Sequence, residues 1–414
     1  MTIIEFYDKA DINNIVGALV YKPHKVILIG DCNRDMNQSV EDYRRLLSKK
    51  GINTVIDPVK VETQNLHRIY DALVKIVEEN EDCVFDLAGG DDLFLVAVGM
   101  IAQQYKDKVQ LHRIDARKNT VTDCDAGLNT TEEIPLSLSV EELVSVYGGR
   151  VIYTEDLDDG TYKWDFNEGF IRDIEKMWDI FKDDPRGWNT QMNALDGMSG
   201  KYYGDEDLYI EANKEEAKAY LKTKDVKFVF FNRMFRRLAS AGIIRGYNPG
   251  FDSGVFSFSF KNEQVKRCLT KAGQLLELYA TYVARELFRD GEAFFDDVAT
   301  GVYIDWDGKL SSEDEADVHN EIDIILMKGL VPVFISCKSG VVKVDELYKL
   351  SSVADRFGGP YVKKVLLSAS LDDDKRNGPV VRARAKQMGI RIIDDVDNMS
   401  VSYFRKQLCM LWDN

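Results

Sequence analysis

The sequence predicts an α/β protein of more than one domain: a doubly wound parallel sheet, then a winged-helix-like middle segment, then a second α/β unit. Three observations predict it. Apolar strand-like runs alternate with amphipathic helical stretches through residues 1–120, residues 211–260 read as two helices and a hairpin, and the last segment reads α-β-β-β-α-β-α-β. At 414 residues the chain is also too long for a single hydrophobic core. The expected boundaries are a first domain over 1–150, a connector over 151–200, the winged-helix-like segment over 201–262 and a last domain over 263–414.

Element by element, KVILIG (25–30) is an apolar run suited to a buried parallel strand, and EDYRRLLSKKG follows as a helix ending at Gly51. NTVIDPV reads as a strand, NLHRIYDALVKIVEEN as an amphipathic helix, CVFDLAGGDD as a strand and turn, LFLVAVGMIAQQY as an apolar helix and VQLHRID as a strand. The pattern weakens from 150 to 200, where DLDDGTYKWDFNEGF and DDPRGWNTQMNALDGMSG read as connector around a helix at 169–181. EEAKAYLKTKD and KFVFFNRMFRRLASAGII read as helices and GVFSFSFK as a strand. KAGQLLELYATYVARELFRDG opens the last unit as a long helix; DVATGVYIDW, EIDIILMKG and VPVFISCKS follow as strands. VDELYKLSSVADRFGG (helix), YVKKVLLSAS (strand), VVRARAKQMG (helix) and IRIID (strand) close it.

Composition narrows the function. Apolar residues at 45% and charged residues at 30% describe a soluble globular chain, with no apolar run of about 18 residues and no signal-peptide pattern in MTIIEFYDKA. A cytoplasmic protein without a membrane partner is expected. Cys32, Cys83, Cys124, Cys268, Cys337 and Cys409 are scattered, so buried thiols are expected rather than disulfides or a zinc site. The net charge of −16 argues against nonspecific coating of DNA. Basic residues nevertheless gather locally, as Arg233, Arg236, Arg237 and Arg245, and as Lys261, Lys266, Arg267 and Lys271. Solvated helix faces are the better reading of most of these residues.

The strongest chemical signal is N-E-I-D-I-I-L followed, after a short turn, by F-I-S-C-K. Strand side chains alternate faces, so Glu321 shares a face with Asp323, and Ser336 with Lys338. Ile322, Ile324, Leu326, Val333, Ile335 and Cys337 suit the core. A tight turn at Lys328-Gly329 would set Glu321 opposite Ser336 and His319 opposite Lys338. Polar residues on two antiparallel strands can simply face water. Lys338, placed mid-strand after VPVFISC, favours a site. Carboxylates hold Mg²⁺ or Mn²⁺, the metal acidifies a water, and an ammonium offsets transition-state charge, so the cluster suits phosphodiester hydrolysis. The Cys337 backbone carbonyl would complete the metal shell; His319 is a bystander.

These residues, with Glu277 in Q-L-L-E-L-Y of the preceding helix, resemble the PD-(D/E)xK nuclease core. By that resemblance Asp323 is the metal-binding aspartate and Lys338 the lysine. Ser336 stands where the family carries an acidic residue, and Glu277 and Glu321 are the candidates to compensate.

In open α/β sheets ligands bind at the carboxyl ends of the strands. Two loops qualify: Gly30-Asp31-Cys32-Asn33-Arg34-Asp35, and Ala88-Gly89-Gly90-Asp91-Asp92, which opens a helix. No G-x-G-x-x-G is present, against a dehydrogenase. D-L-A-G-G-D-D-L-F resembles the Gly-Gly loop of CARF domains, Rossmann-like sensors that bind cyclic oligoadenylates across a homodimer. Asp91-Asp92 departs from the Thr-Lys many of those loops carry. Over nearly the whole chain, the arrangement resembles the type III CRISPR ancillary nucleases. It implies a homodimer activated by cyclic tetra-adenylate, cutting single-stranded RNA or DNA and nicking duplex DNA. A second reading is a ligand-gated transcription regulator with RMFRRLASAGII as recognition helix. Phe228, Phe230, Phe231, Met234, Phe235, Leu238 and Ile243 argue that this helix packs instead.

Overall fold

In the computed structural model, which describes residues 1–8, 12–62, 64–125, 130–157, 160–308, 319–369, 371 and 375–412, the chain begins with a strand that the sequence reading passed over. The first unit runs β1 (Thr2–Phe6), α1 (Asn13–Tyr21), β2 (Lys25–Gly30), α2 (Arg34–Lys49), β3 (Val55–Lys60), α3 (Leu66–Glu79), β4 (Cys83–Asp86), α4 (Asp92–Gln104), β5 (Val109–Asp115), β6 (Thr120–Asp123) and β7 (Thr130–Glu133). Its sheet has the order β3-β2-β1-β4-β5-β6-β7. β1 to β5 are parallel as expected, whereas β6 and β7 add antiparallel at the edge. Every residue of β1 is buried. Glu5 interrupts its apolar run, and a buried carboxylate reads in sequence like a surface position. Because the strand order turns about β1, the crevice at the carboxyl ends of β1, β2 and β4 is the ligand position of this fold.

The middle of the chain is more ordered than its composition suggests. After α5 (Val140–Val146) and β8 (Arg150–Ile152) come α6 (Glu168–Phe181), α7 (Pro185–Met198), β9 (Tyr209–Asn213), α8 (Lys214–Thr223), α9 (Asn232–Ser240), β10 (Ile244–Asn248) and β11 (Val255–Phe260). The expected connector therefore contains two helices. Asn167 caps α6, and Asp184 caps α7 with Pro185 in its first turn, so the polar runs read as linker are helix starts. Trp178, Phe181 and Trp188 are buried, and Trp178 stacks on Tyr279 with ring centroids 3.8 Å apart. β10, β11 and β9 form the small antiparallel sheet of the winged-helix segment. α9 is shorter than the run 227–244 predicted, and it turns Met234, Phe235 and Leu238 inward while Arg237 bonds Asp183. It is a packing helix, as its apolar residues indicated.

The last unit follows the predicted order, with α10 (Glu263–Leu269), α11 (Gln274–Arg285), the short ladder of β12 (Phe288–Arg289) and β13 (Glu292–Ala293), β14 (Asp297–Asp305), β15 (His319–Lys328), β16 (Val331–Lys338), α12 (Val344–Phe357), β17 (Lys363–Ser368), α13 (Gly378–Gln387), β18 (Ile390–Ile393) and α14 (Val401–Cys409). Its sheet has the order β18-β17-β16-β15-β14-β8. β8, which lies at the boundary expected between first domain and connector, is thus an edge strand of the last unit. One apolar core joins the middle helices to one face of this sheet. Another runs from Ile3, Leu28 and Tyr43 of the first unit to Ile325, Phe334 and Leu366 of the last. The two α/β units share packed side chains rather than a flexible tether.

Candidate active site

β15 and β16 present the catalytic candidates because alternation sends Ile324 and Ile335 into the core while Asp323 and Ser336 stay partly accessible. The hairpin pairs Ile324 with Ile335 and Lys328 with Val331. That register lies two residues from the expected one: Ser336 comes beside Asp323, not Glu321. The turn is Gly329-Leu330, with Gly329 at φ +61° and Leu330 buried. An apolar residue in the turn concealed it in the sequence. Cross-strand pairing ends at Ile324 and Ile335, and the Asp323 carboxylate closes the ladder where the strands part. Its Oδ2 accepts the Cys337 backbone N–H at 2.6 Å and the Ser336 hydroxyl at 3.2 Å. Lys338 Nζ lies 3.5 Å from the same oxygen and 3.3 Å from Glu346 Oε2 on α12.

Glu277 enters from the first turn of α11 and is 5% exposed, with Gln274 Nε2 donating to it at 2.9 Å. Burial, and then the Asp323 and Glu321 carboxylates, push its carboxyl up to about 8. Glu321 itself turns to Lys271, with Nζ to Oε1 at 2.6 Å. Burial disfavours the Lys271 ammonium, but Glu277 and Glu321 outweigh that and hold it charged. Burial likewise works against Lys338, and Asp323 and Glu346 overcome it. The Cys337 thiol faces the core, and burial, reinforced by Asp323 and Glu277, pushes it well up.

The sequence reading missed Glu346, Lys349 and Gln274 and took Lys271 only as part of a basic group, because all four lie outside the strand pair. Two clefts meet here. One, of about 330 Å³, is lined by Asp323, Ser336, Lys338, Glu346, Lys349 and His319. The other, of about 210 Å³, is lined by Tyr162, Trp164, Arg267, Thr270, Lys271 and Gln274, and Glu321 belongs to both. The converging groups are hard oxygen donors, and their mutual repulsion at Glu277 is what a divalent cation relieves, so the donor chemistry fits Mg²⁺ or Mn²⁺. In these rotamers no group of His, Cys, Asp and Glu among the described residues is already closed to hold a metal. Glu321 is engaged by Lys271, and Ser336 donates to Asp323.

The two N-terminal loops lie at the ends of β2 and β4, beside the crevice. Asn33 caps α2 by accepting from Met36 N–H, and its amide and side chain donate to Asp31. Asp91 caps α4 by accepting from Leu93 and Phe94 N–H. These candidate ligand residues therefore already serve their helix N-termini. Gly90 has φ +96°, and a Cβ there would sit 2.9 Å from the Phe6 ring. A Cβ on Gly30 would meet Met36 Sδ at 2.8 Å. Ala88 N–H donates to Asp86, and Gly89 lies against Phe6. Asp31, Arg34, Asp35, Asp91 and Asp92 are all exposed, and Arg34 is the cation among them.

Residues 262–407 match the family model described as the Card1-like endonuclease domain. No curated protein matches the chain. Two solved structures share its fold over the full length. Protein VC1899 from Vibrio cholerae superposes with a TM-score of 0.74 at 18% identity, covering 100% of this chain and 98% of that one. Can2 from Sulfobacillus thermosulfidooxidans, solved in complex with cyclic tetra-adenylate, gives 0.67 at 15% identity, covering 100% and 99%. With a Rossmann-like sheet in front and the Asp323–Lys338 strand pair behind, this chain shares the overall α/β fold of those two structures, and its residues 262–407 are similar to the Card1-like endonuclease domain.

Proposed function

We propose that the chain is a metal-dependent endonuclease of the PD-(D/E)xK type, gated by a cyclic oligoadenylate, that cuts single-stranded RNA or DNA and nicks duplex DNA in type III CRISPR defence. The observation that carries this reading is the contact of Asp323 with Lys338 across β15 and β16, beside buried Glu277, inside the matched endonuclease domain. Asp323 and Glu277 would hold Mg²⁺ or Mn²⁺, with the Cys337 carbonyl and Glu321 as further donors. The ion would supply Lewis acidity at the scissile phosphate and acidify a water. The Ser336 hydroxyl and Cys337 N–H fix Asp323 through Oδ2, leaving Oδ1 for the cation. Lys338 brings a positive charge to the phosphate, and Glu346 orients it from α12.

The activator is proposed to be cyclic tetra-adenylate, the ligand with which the Can2 structure was solved. Its site is the crevice between the two N-terminal loops, with Arg34, Gly89, Gly90 and Asp92 as the contacts. A homodimer is proposed from α4. That helix is apolar on nearly every side, and Leu95, Val96 and Met100 remain 41%, 50% and 43% exposed beside the Gly-Gly loop. No helix among the described residues is long and apolar enough to cross a membrane. Gating would run along α2, whose first turn carries Arg34. A cleft of about 580 Å³ lies between α2 and the last unit, lined by Arg34, Asp42, Trp306 and Arg356. Arg356 ends the same helix that begins with Glu346. The ring must bind the active arrangement more tightly than the resting one for this to work.

The test is cleavage of labelled single-stranded RNA and DNA in Mn²⁺, with and without cyclic tetra-adenylate. Wild type should cut in a ring-stimulated, chelator-sensitive manner, and Lys338→Ala should lose about a hundredfold or more. Equal cutting by Lys338→Ala would overturn the assignment.

A further inference from the structure

The second cleft beside the active site holds a pattern that catalysis at Asp323 and Lys338 does not require. Of the basic group at 261–271, two members are structural. Lys261 is sealed against buried Asp173 at 2.6 Å, and Lys266, itself buried, donates to the carbonyls of Gly204 and Asp205. The other two, Arg267 and Lys271, face the cleft. The Arg267 guanidinium stands 4.2 Å over the Tyr162 ring while its Nε pairs with Glu263 at 3.2 Å. Tyr162 meets Trp164 edge-on at 4.8 Å, and Trp164 lies flat on Phe170 at 5.6 Å with an interplanar angle of 5°. Phe170 is buried, so Trp164 is anchored from below, whereas Tyr162, Trp164 and Arg267 keep accessible surface on the cleft side.

Aromatic faces held by a packed partner, beside cations whose ion pairs stay part-exposed, suit a planar heterocycle linked to a phosphate. Glu321 lines both this cleft and the catalytic one. A duplex keeps its base faces covered by neighbouring pairs, so stacking of this kind requires an unpaired strand. In a chain of net charge −16, cations joined to the active site mark where a polyanion is tolerated.

We infer that this cleft is a substrate subsite, which takes a nucleotide flanking the scissile phosphate of a single-stranded nucleic acid. The base stacks on the Tyr162 ring, which Trp164 braces edge-on, and Arg267 takes a phosphate oxygen. The inference rests on the nuclease reading of the neighbouring site, and it makes these residues determinants of strand affinity rather than catalytic residues.

The experiment uses the full chain and fluorescently labelled short single strands of RNA and of DNA. Binding is followed by anisotropy in chelator, with and without cyclic tetra-adenylate, and cleavage is followed separately in Mn²⁺. Tyr162→Ser should weaken binding about tenfold and Tyr162→Phe should restore it. Arg267→Gln, which removes the guanidinium over Tyr162 but keeps every aromatic side chain, should weaken binding several-fold and flatten its salt dependence. In cleavage both should raise KM and leave kcat near wild type. Unchanged affinity in Arg267→Gln and Tyr162→Ser would overturn the subsite, as would duplex binding with equal dependence on Tyr162. If no metal supports cutting by wild type while Tyr162→Ser still loses the strand, the nuclease reading falls and the subsite stands.

Discussion

Glu5 and Asp86 sit on neighbouring strands of the first sheet, 3% and 2% exposed, and Glu5 Oε1 and Asp86 Oδ2 find no hydrogen-bond partner among the described residues. Burial, and then Asp86, raise Glu5 well above the usual carboxylate range, and burial lifts Asp86 to about 7. Both pKa values are raised in the folded state, so folding takes up protons. The stability this provides is complete below the unfolded pKa near 4 and is lost as pH rises through about 7. Thermal denaturation should therefore show a lower Tm at about pH 8.5 than at about pH 5. Glu5→Gln, whose amide can donate to Asp86, should raise Tm at the higher pH and narrow the difference. An unchanged pH slope in that variant would refute the assignment. Within the catalytic cleft the residues differ in weight. Ser336→Ala removes one hydrogen bond from Asp323 and leaves the Cys337 N–H, so cleavage should fall by only about fivefold. A loss matching Lys338→Ala would instead make Ser336 part of the chemistry. Asp323 and Lys338 were legible because strand alternation fixes which residues share a face. Lys271, Gln274 and Glu346 were not, because nothing local in the sequence states which helix end meets which strand.

At the scale of elements, α12 and α4 carry the regulatory expectations. α12 spans about 20 Å, with Glu346 against Lys338 at its start and Arg356 beside Asp42 of α2 at its end. Arg356→Ala should leave the unstimulated cleavage rate in place and reduce stimulation by cyclic tetra-adenylate. Full stimulation would exclude this helix as the connection. On α4, Leu95→Asp with Met100→Asp should convert the proposed dimer to monomer in analytical ultracentrifugation and abolish ring stimulation. Wild-type sedimentation as a monomer would dispose of the dimer directly. The apolar character of α4 was evident in LFLVAVGMIAQQY, yet only the fold shows that α3 and the sheet cover part of it. Within 151–200, the helix read at 169–181 is α6, whereas α7 failed to register for the opposite reason. Its cap, Asp184, belongs to the residue types that also mark loops.

Over the whole molecule, the acidic balance and the small number of cleft cations set the strength of nucleic-acid binding. With Arg267, Lys271 and Lys338 as the phosphate-facing groups, log Kobs for a single strand should fall with log salt with a slope of about −2. A slope several times steeper, measured by anisotropy across a salt titration, would place the strand on a broader basic surface than these clefts. The first and last units share one packed core, which is the route the proposed gating would take. That core includes Tyr43 and Val144 near α2 together with Phe334 and Phe357 of the last unit.

Periodicity along the chain was enough to determine the α/β class, the order of elements in the last unit, and the pairing of an acidic strand with a lysine-bearing one. Those properties are local, since side-chain direction repeats every two residues in a strand and every turn in a helix. The tertiary structure alone decided the hairpin register, the burial of Glu5 and Glu277, the place of β8 at the edge of a distant sheet, and the arrival of Lys271 and Glu346 beside Asp323. Each of these depends on contacts between residues far apart in the chain, which packing of the whole core selects and no short window of sequence encodes.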